Sequence, residues 1–572
     1  MKPQYLDQLE LERERGITIK MAPVRMHYRS LAGVEYILNL IDTPGHSDFG
    51  YEVSRALTAV EGAVLLVDAT QGIQAQTLAN FEAAQRAGLK ILGAVNKIDL
   101  VDEEELEVMV TEVADFLQTT PDNILRLSGK TGAGVDKLLE RVVRDIPAPS
   151  SARKFSPMGA PRALVFDSLY DSHKGVLAFV RVFEGEFSND DRLGLIATAT
   201  DFKPKEVGYF LPKATITSKL ATGEIGYFAT GIKDPDHIKI GDTITLATKT
   251  LIQGVALPGY KEPKAVVFVS LYPEDANQYD DLKYALQKLR LTDASLAFEP
   301  DSSEVLGRGF KGGFLGRLHF EIIAERLERE FEIATIYSFP SVAYRVLIGK
   351  GDEGSERWAT ITNPKDFPAD ATKIEEPVAR VEILTPLKFV SPILSLRDTF
   401  RFSEIATIPR GSKILITAIL PLADLIQDLD DTLKSISEGF ASLNYEITGW
   451  AKTEVQKLEI HIASNYVPGL TRILPKKDIE REARLMVEKL KDLLPKQQFT
   501  QAIQAMVGAR VVARETISAL KKDVTDYLYG GDRTRKMKLW KKQQVGKKRL
   551  KEIGTKNRIT ISASMFRELL KK

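Results

Sequence analysis

No cysteine occurs among the 572 residues, which excludes disulfides, thiolate zinc sites and cysteine nucleophiles. A chain without thiols suits a reducing, cytoplasmic setting. Uncharged apolar runs of about 18 residues, the length a membrane-crossing helix needs, are also missing. The opening Met1-Lys2-Pro3-Gln4-Tyr5 carries no apolar run and is not expected to be a signal peptide. Charge of one sign is not in excess: 79 Lys and Arg face 78 Asp and Glu, a formal net charge of +1. That total hides a local field, because basic residues cluster near the C-terminus. One motif is absent too. The pattern G-x-x-x-x-G-K-[ST], whose backbone cradles phosphates, occurs nowhere in the chain.

What is present describes a folded multidomain protein. Hydrophobic residues make up 44% of the chain, and at roughly 100–200 residues per domain about three to five domains are expected. From about residue 20 to 146 the pattern alternates β and α. Val24–Tyr28 and Glu35–Ile41 read as a hairpin, and Val64–Val67, Ile91–Val95 and Ile124–Leu127 as short buried parallel strands. Pro147, Pro149, Pro157 and Pro161 mark a linker. Residues 160–256 hold short strands and turns without a long helical period, predicting a small β-barrel. Two split βαβ domains of β-α-β-β-α-β order, ferredoxin-like, follow at 263–345 and 377–457. Ser391-Pro392 reads as N-cap and first position of a helix in the second. Lys350–Glu376 reads as an exposed linker, and 458–572 shows helical patterns near 478–494 and 512–527 before a cationic tail. The fold class is α/β and α+β, multidomain.

Four short motifs fall in order within the first quarter: Arg15-Gly16-Ile17-Thr18, Asp42-Thr43-Pro44-Gly45-His46, Asn96-Lys97-Ile98-Asp99 and Ser128-Gly129-Lys130-Thr131-Gly132. The last three each follow a predicted strand, the edge where open α/β sheets bind ligands. Asp99 can accept two hydrogen bonds from the N1–H and 2-amino group of guanine, a fork adenine cannot match. Asn96 can reach the same base or brace the loops, and the stem of Lys97 can lie along the ring. Ser128, Gly129 and Lys130 supply a loop on the far side of the base. Asp42 and the Thr18 hydroxyl can serve Mg²⁺, and Gly45 lets its N–H approach a γ-phosphate. Taken alone, Asp99 could equally be a helix N-cap, and His46 a structural histidine. Following the metal-binding turn, His46 also stands where a water-orienting residue is needed.

The DTPGH and RGITI strings resemble the translational GTPases. Val305–Phe320 (VLGRGFKGGFLGRLHF), Leu494–Ala513 and Tyr529–Lys551 are similar to the elongation factor 4, or LepA, family over essentially the whole chain. Arg308 and Arg317 add charge to the glycine stretch, and residues 555–562 match poorly. Elongation factor G would need a large domain between the two split βαβ domains, for which there is no room. The Tyr529–Lys551 segment argues against the BipA type. The resemblance implies a ribosome-binding GTPase that uses GTP and Mg²⁺, meets ribosomal RNA and tRNA, and promotes back-translocation. Peripheral contact with the inner membrane is described for some members, and a monomer is expected. His46 would then orient the attacking water, with residues 1–148 as the GTP-binding domain and 458–572 as a basic, RNA- and ribosome-binding domain.

The tail can be read without the family. Arg533, Arg535, Lys536, Lys538, Lys541, Lys542, Lys547, Lys548, Arg549 and Lys551 form a run with no acid between them. Solvated helix faces normally mix signs. A single-signed run holding Trp540 suits an RNA backbone with base stacking, and anionic lipid competes for the same charges.

In this family the phosphate loop joins a first strand and helix that precede the RGIT segment. Without them the backbone cradle and its lysine are lost, and two strand edges lie unpaired. The expectation is that these 572 residues neither complete the GTP-binding fold nor hold GTP tightly. The alternative to a fragment of a GTPase is a shortened, non-hydrolysing ribosome- or RNA-binding paralogue.

Overall fold

In the computed structural model, all residues are described except 1–5, 7–9, 150–159, 172, 235–236, 250–254, 259–264, 294, 304–305, 351–355, 369–370, 372, 498–499, 521–532, 555–564, 566–567 and 570–572. Tyr529 and most of the segment after residue 554 therefore lie outside the described residues.

The N-terminal domain begins with helix α1 (Glu10–Arg15) and a hairpin of β1 (Ala22–Arg29) and β2 (Glu35–Asp42). Helix α2 (Gly50–Thr58) follows. Then come β3 (Gly62–Asp68), α3 (Ala75–Arg86), β4 (Lys90–Asn96), α4 (Glu103–Phe116), β5 (Leu125–Arg126) and α5 (Val135–Asp145). The strands do not form one sheet. β3, β4 and β5 pair in parallel, whereas among the described residues β1 and β2 pair only with each other. Leu66 on β3 is 52% exposed, and Ile37 and Leu40 on β2 are 49% and 43% exposed. These values are far too high for interior strands of an α/β sheet. The hairpin packs elsewhere: Arg25 lies 3.9 Å from the centre of the Tyr209 ring and pairs with Glu224 at 3.2 Å.

The barrel expected at 160–256 is an eight-stranded antiparallel sheet. Leu195 and Val207 sit near opposite ends of its strand order yet share one buried cluster, so the sheet curls on itself. Strand Gly175–Glu184 is buried on both faces. Val176, Ala178, Val180 and Val182 enter the inner cluster, while Leu177 and Phe179 pack on Met21, Ala56 and Ala59 of the first domain. At this interface Arg55 meets Asp167 at 3.2 Å and Glu52 at 3.3 Å. One guanidinium serves two carboxylates, and burial pushes the Glu52 carboxyl up to about 8.

The first split βαβ domain has strands Val267–Pro273, Ala297–Ser303, Gly307–Phe314 and Thr335–Tyr337, with helices α6 (Tyr279–Thr292) and α7 (Arg317–Phe331). Its sheet order, second-third-first-fourth, is that of the expected motif. The second is built on the long strand Ile374–Pro386, paired with Lys413–Pro421 and Ser442–Lys452. Leu422, Leu425, Ile426, Leu429 and Leu433 form one buried stripe. Ser391 is not the N-cap of its helix: that helix runs Val390–Leu394 and continues a 3₁₀ turn at Leu387–Phe389, which already supplies the preceding turn.

Two further expectations are overturned. The 350–376 stretch contains strand Glu356–Ile361, which pairs with Tyr344–Lys350 and through it joins the second split βαβ sheet. Likewise, the region read as helical near 512–527 starts as strand Arg510–Ile517, antiparallel to Gln501–Val507 across a tight turn at Gly508 (φ +57°). Its β-branched Val511, Val512, Thr516 and Ile517 favour that choice. Helix Ile479–Leu493 is present and covers this sheet.

Candidate guanine-nucleotide site

The residues read as contacts to the base lie together at one sheet edge. β4 delivers Asn96 at its carboxyl end, and Lys97 follows in the left-handed conformation (φ +64°), which turns the chain sharply toward Asp99. Gly129 N–H donates to Asn96 Oδ1 at 3.0 Å, tying the two loops together. The Ser128 hydroxyl accepts the Thr131 N–H at 3.1 Å and donates to Asp99 Oδ1 at 2.6 Å. That hydroxyl holds the Asp99 carboxyl below the usual carboxylate range. Lys97 Nζ pairs with Asp68 Oδ2 at 2.7 Å, leaving the lysine stem stretched between β3 and β4. Asp68, missed in the sequence, thus braces a predicted site residue. Lys130 and Gly129 are exposed.

The helix-cap reading of Asp99 fails. Asp102 caps α4, accepting the Glu105 N–H at 2.8 Å in a capping box, and the 3₁₀ turn Ile98–Leu100 has Lys97 at its cap position. Asp99 is left with its exposed carboxylate at the strand edge, held by Ser128.

The phosphate half is sparser. Asp42 ends β2 and Thr18 follows α1, both half-buried. A Cβ built on Gly45 would meet nothing within 4 Å, so the side-chain face of this residue is open. Among the described residues no three His, Asp or Glu side chains gather as metal ligands. His46 is half-buried, and its Nδ1 accepts the Asp48 N–H at 3.2 Å, which places the proton of the neutral ring on Nε2.

In the tail, helix Arg533–Gly554 carries the whole basic run. Arg533, Lys536, Lys538, Lys541 and Lys542 are exposed, as is Trp540. Arg535, Lys547, Lys548, Arg549 and Lys551 lie on the same helix, with side chains outside the described set.

With this geometry in place, comparison with known proteins is decisive. Elongation factor 4 of Thermobifida fusca (strain YX) is 45% identical over 97% of the chain and 89% of that protein. The same factor of Syntrophomonas wolfei is 43% identical over 100% and 93%, and that of Thermus thermophilus is 44% identical over 97% and 90%. The chain belongs to the elongation factor 4 family. Family matches run along the whole molecule: the elongation factor Tu GTP binding domain at residues 1–148, elongation factor G domain III at 262–338, the elongation factor G C-terminus at 373–461, and the GTP-binding protein LepA C-terminus at 462–571. A crystal structure of a Thermus thermophilus protein aligns with a TM-score of 0.53 at 17% identity, covering 78% of this chain and 91% of that one, a likeness of fold. Membership of the elongation factor 4 family makes this a GTPase of translation. Among the described residues no helix is long and apolar enough to cross a membrane.

Proposed function

We infer that the chain works on the ribosome, where GTP hydrolysis drives an elongation factor 4 type of action on tRNAs, back-translocation included. The observation that supports this reading is that the loops of Asn96–Asp99 and Ser128–Gly129 are tied together and leave the Asp99 carboxylate exposed at the strand edge, beside membership of the family. Asp99 takes the base, Asn96 and Lys97 its edge and face, and Ser128, Gly129 and Lys130 the opposite loop. Asp42 and Thr18 would hold Mg²⁺, which when bound neutralises charge on the phosphates. Gly45 offers its N–H to the γ-phosphate, and His46 directs the attacking water.

The basic helix is the RNA-binding element of this reading. A chain ending at residue 532 is expected to lose at least about tenfold in ribosome affinity at moderate salt, with a shallower salt dependence than the intact chain. Co-sedimentation across a salt series measures both. Unchanged sedimentation removes the helix from the interface, and binding to anionic vesicles but not to ribosomes assigns it to a membrane surface.

We assign the strand and loop that complete the phosphate side to residues outside these 572. The break between β2 and β3 supports this, and so does α5, whose apolar stripe (Val135, Leu138, Leu139, Val142, Val143) has no buried member. Two open strand edges and the missing lysine predict that the 572-residue chain binds fluorescent GDP more weakly than micromolar; micromolar or tighter binding sinks the assignment. The alternative is a non-hydrolysing ribosome-binding paralogue, against which the four intact nucleotide motifs stand. An in-frame G-x-x-x-x-G-K-[ST] upstream of codon 1 excludes that reading, and an in-frame stop there favours it.

A further inference from the structure

Directly after His46, the 3₁₀ turn Ser47–Phe49 places the buried Asp48 between three domains. Its Oδ2 accepts the N–H of Leu318, the second residue of α7, at 2.9 Å. Its Oδ1 accepts the Tyr445 hydroxyl at 3.0 Å, from strand Ser442–Lys452 of the second split βαβ domain. Its own N–H donates to His46 Nδ1 at 3.2 Å. One residue thus touches the His46 ring and both split βαβ domains.

The partners are shaped for this contact. α7 has no acidic residue in its first turn and no side-chain cap of its own, because Gly316 occupies the cap position. Asp48 supplies the missing acceptor and the negative charge that a helix N-terminus favours. Gly316 is extended (φ −171°), so its backbone conformation does not require glycine. Space does: a Cβ there would lie 2.2 Å from the Asp48 carboxylate.

The contact continues on both sides. Phe49 is buried with Leu11, Ile19 and Ile322, so α7 packs on the segment around Thr18 as well. Arg15 pairs with Glu325 at 2.6 Å, and Glu14 with Arg329 at 2.8 Å. Helix α7 therefore bears on the two segments that carry the predicted metal and water residues.

We propose that Asp48 is a positioning residue that makes the placement of His46 depend on docking of both split βαβ domains, with Tyr445 as the hydroxyl that reports the second domain. The proposal rests on reading His46 as the water-orienting residue. When the domain carrying Tyr445 swings away, Asp48 loses a partner, and the turn holding His46 loosens. Because the interaction joins domains, its effect must appear far in sequence from the altered residue.

Hydrogen exchange on the 572-residue chain tests this without nucleotide. Tyr445→Phe keeps the ring and removes one hydroxyl. Amides of residues 46–53 are expected to exchange about fivefold faster, the scale of one lost hydrogen bond, while amides of Tyr445's own strand change less than about twofold. Gly316→Ala, which displaces Asp48 by a different route, should speed exchange at 46–53 and at 317–320 together. Unchanged exchange at 46–53 in Tyr445→Phe overturns the proposal. So does an even rise through the strands beside Tyr445, since that is the mark of a purely local packing role. Failure of the parent reading looks different: in a chain extended upstream to carry the phosphate loop, His46→Ala would leave ribosome-stimulated hydrolysis untouched while the exchange pattern stood.

Discussion

Replacing Asp99 with Asn should reverse the base preference of the site, moving the ratio of GDP to XDP affinity by roughly a thousandfold. The direction follows from Ser128. Its hydroxyl already accepts the Thr131 N–H and spends its proton on Asp99 Oδ1. An asparagine at 99 would keep its oxygen on that hydroxyl and turn its amide nitrogen toward the base. The amide N–H would then meet the 2-amino group of guanine donor to donor, whereas xanthine presents a carbonyl at the same place. Competition between fluorescent GDP and XDP gives the ratio, in which any general weakness of phosphate binding cancels. A ratio unmoved by Asp99→Asn would place the base elsewhere, because no other described carboxylate is held by the 128–131 loop. Ser128→Ala should blunt the reversal, since the asparagine could then flip.

The base half of this site was legible in the sequence because its elements are local. Strand β4 is the short apolar run that a parallel sheet requires, and the motifs at Asn96 and Ser128 lie at or just after the ends of β4 and β5. The basic helix was legible for a similar reason, as ten like charges cannot be buried. Elsewhere the code was weaker. Glu356–Ile361 has no buried residue and is flanked by Gly, Asp and Pro, so its partner strand rather than its own pattern makes it a strand. Arg510–Ile517 mixes β-branched residues with Arg and Glu at a spacing that also satisfies a helix; the turn at Gly508 and its pairing with Gln501–Val507 decide. Asp48 was invisible as a junction, because its partners lie 270 and 397 residues away. Its position two residues after His46 was the only available signal.

Removing the His319 side chain should cost about 1.5–3 kcal/mol at neutral pH, the scale of one hydrogen bond to a carboxylate that is left without its donor. His319 lies almost fully buried on α7, one residue beyond the Leu318 amide that meets Asp48. Its Nδ1 accepts the Leu315 N–H at 3.0 Å, so Nε2 carries the proton and donates to Asp293 Oδ2 at 2.8 Å. Its ring also stands edge-on to Phe314 and to Phe49 of the GTP-binding domain. Burial pushes the Asp293 carboxyl up, but His319 first, then Lys20 and Ser295, outweigh that effect and hold it well below the usual range. The sign of the pH dependence is therefore fixed. A carboxylate whose folded pKa is depressed stabilises the protein above its unfolded value, about 4, and the contribution is lost as pH falls further. The gap between parent and His319→Ala in urea midpoint, followed by circular dichroism, should be widest near pH 7 and narrow steadily below about pH 4. Asp293→Asn keeps an acceptor for Nε2 while removing the charge, so its smaller loss should fade over the same interval. If the gap between parent and His319→Ala stays constant down to pH 3, the ring acts only as packing between Phe314 and Phe49, and the charge on Asp293 contributes nothing to holding α7 against the segment that carries His46.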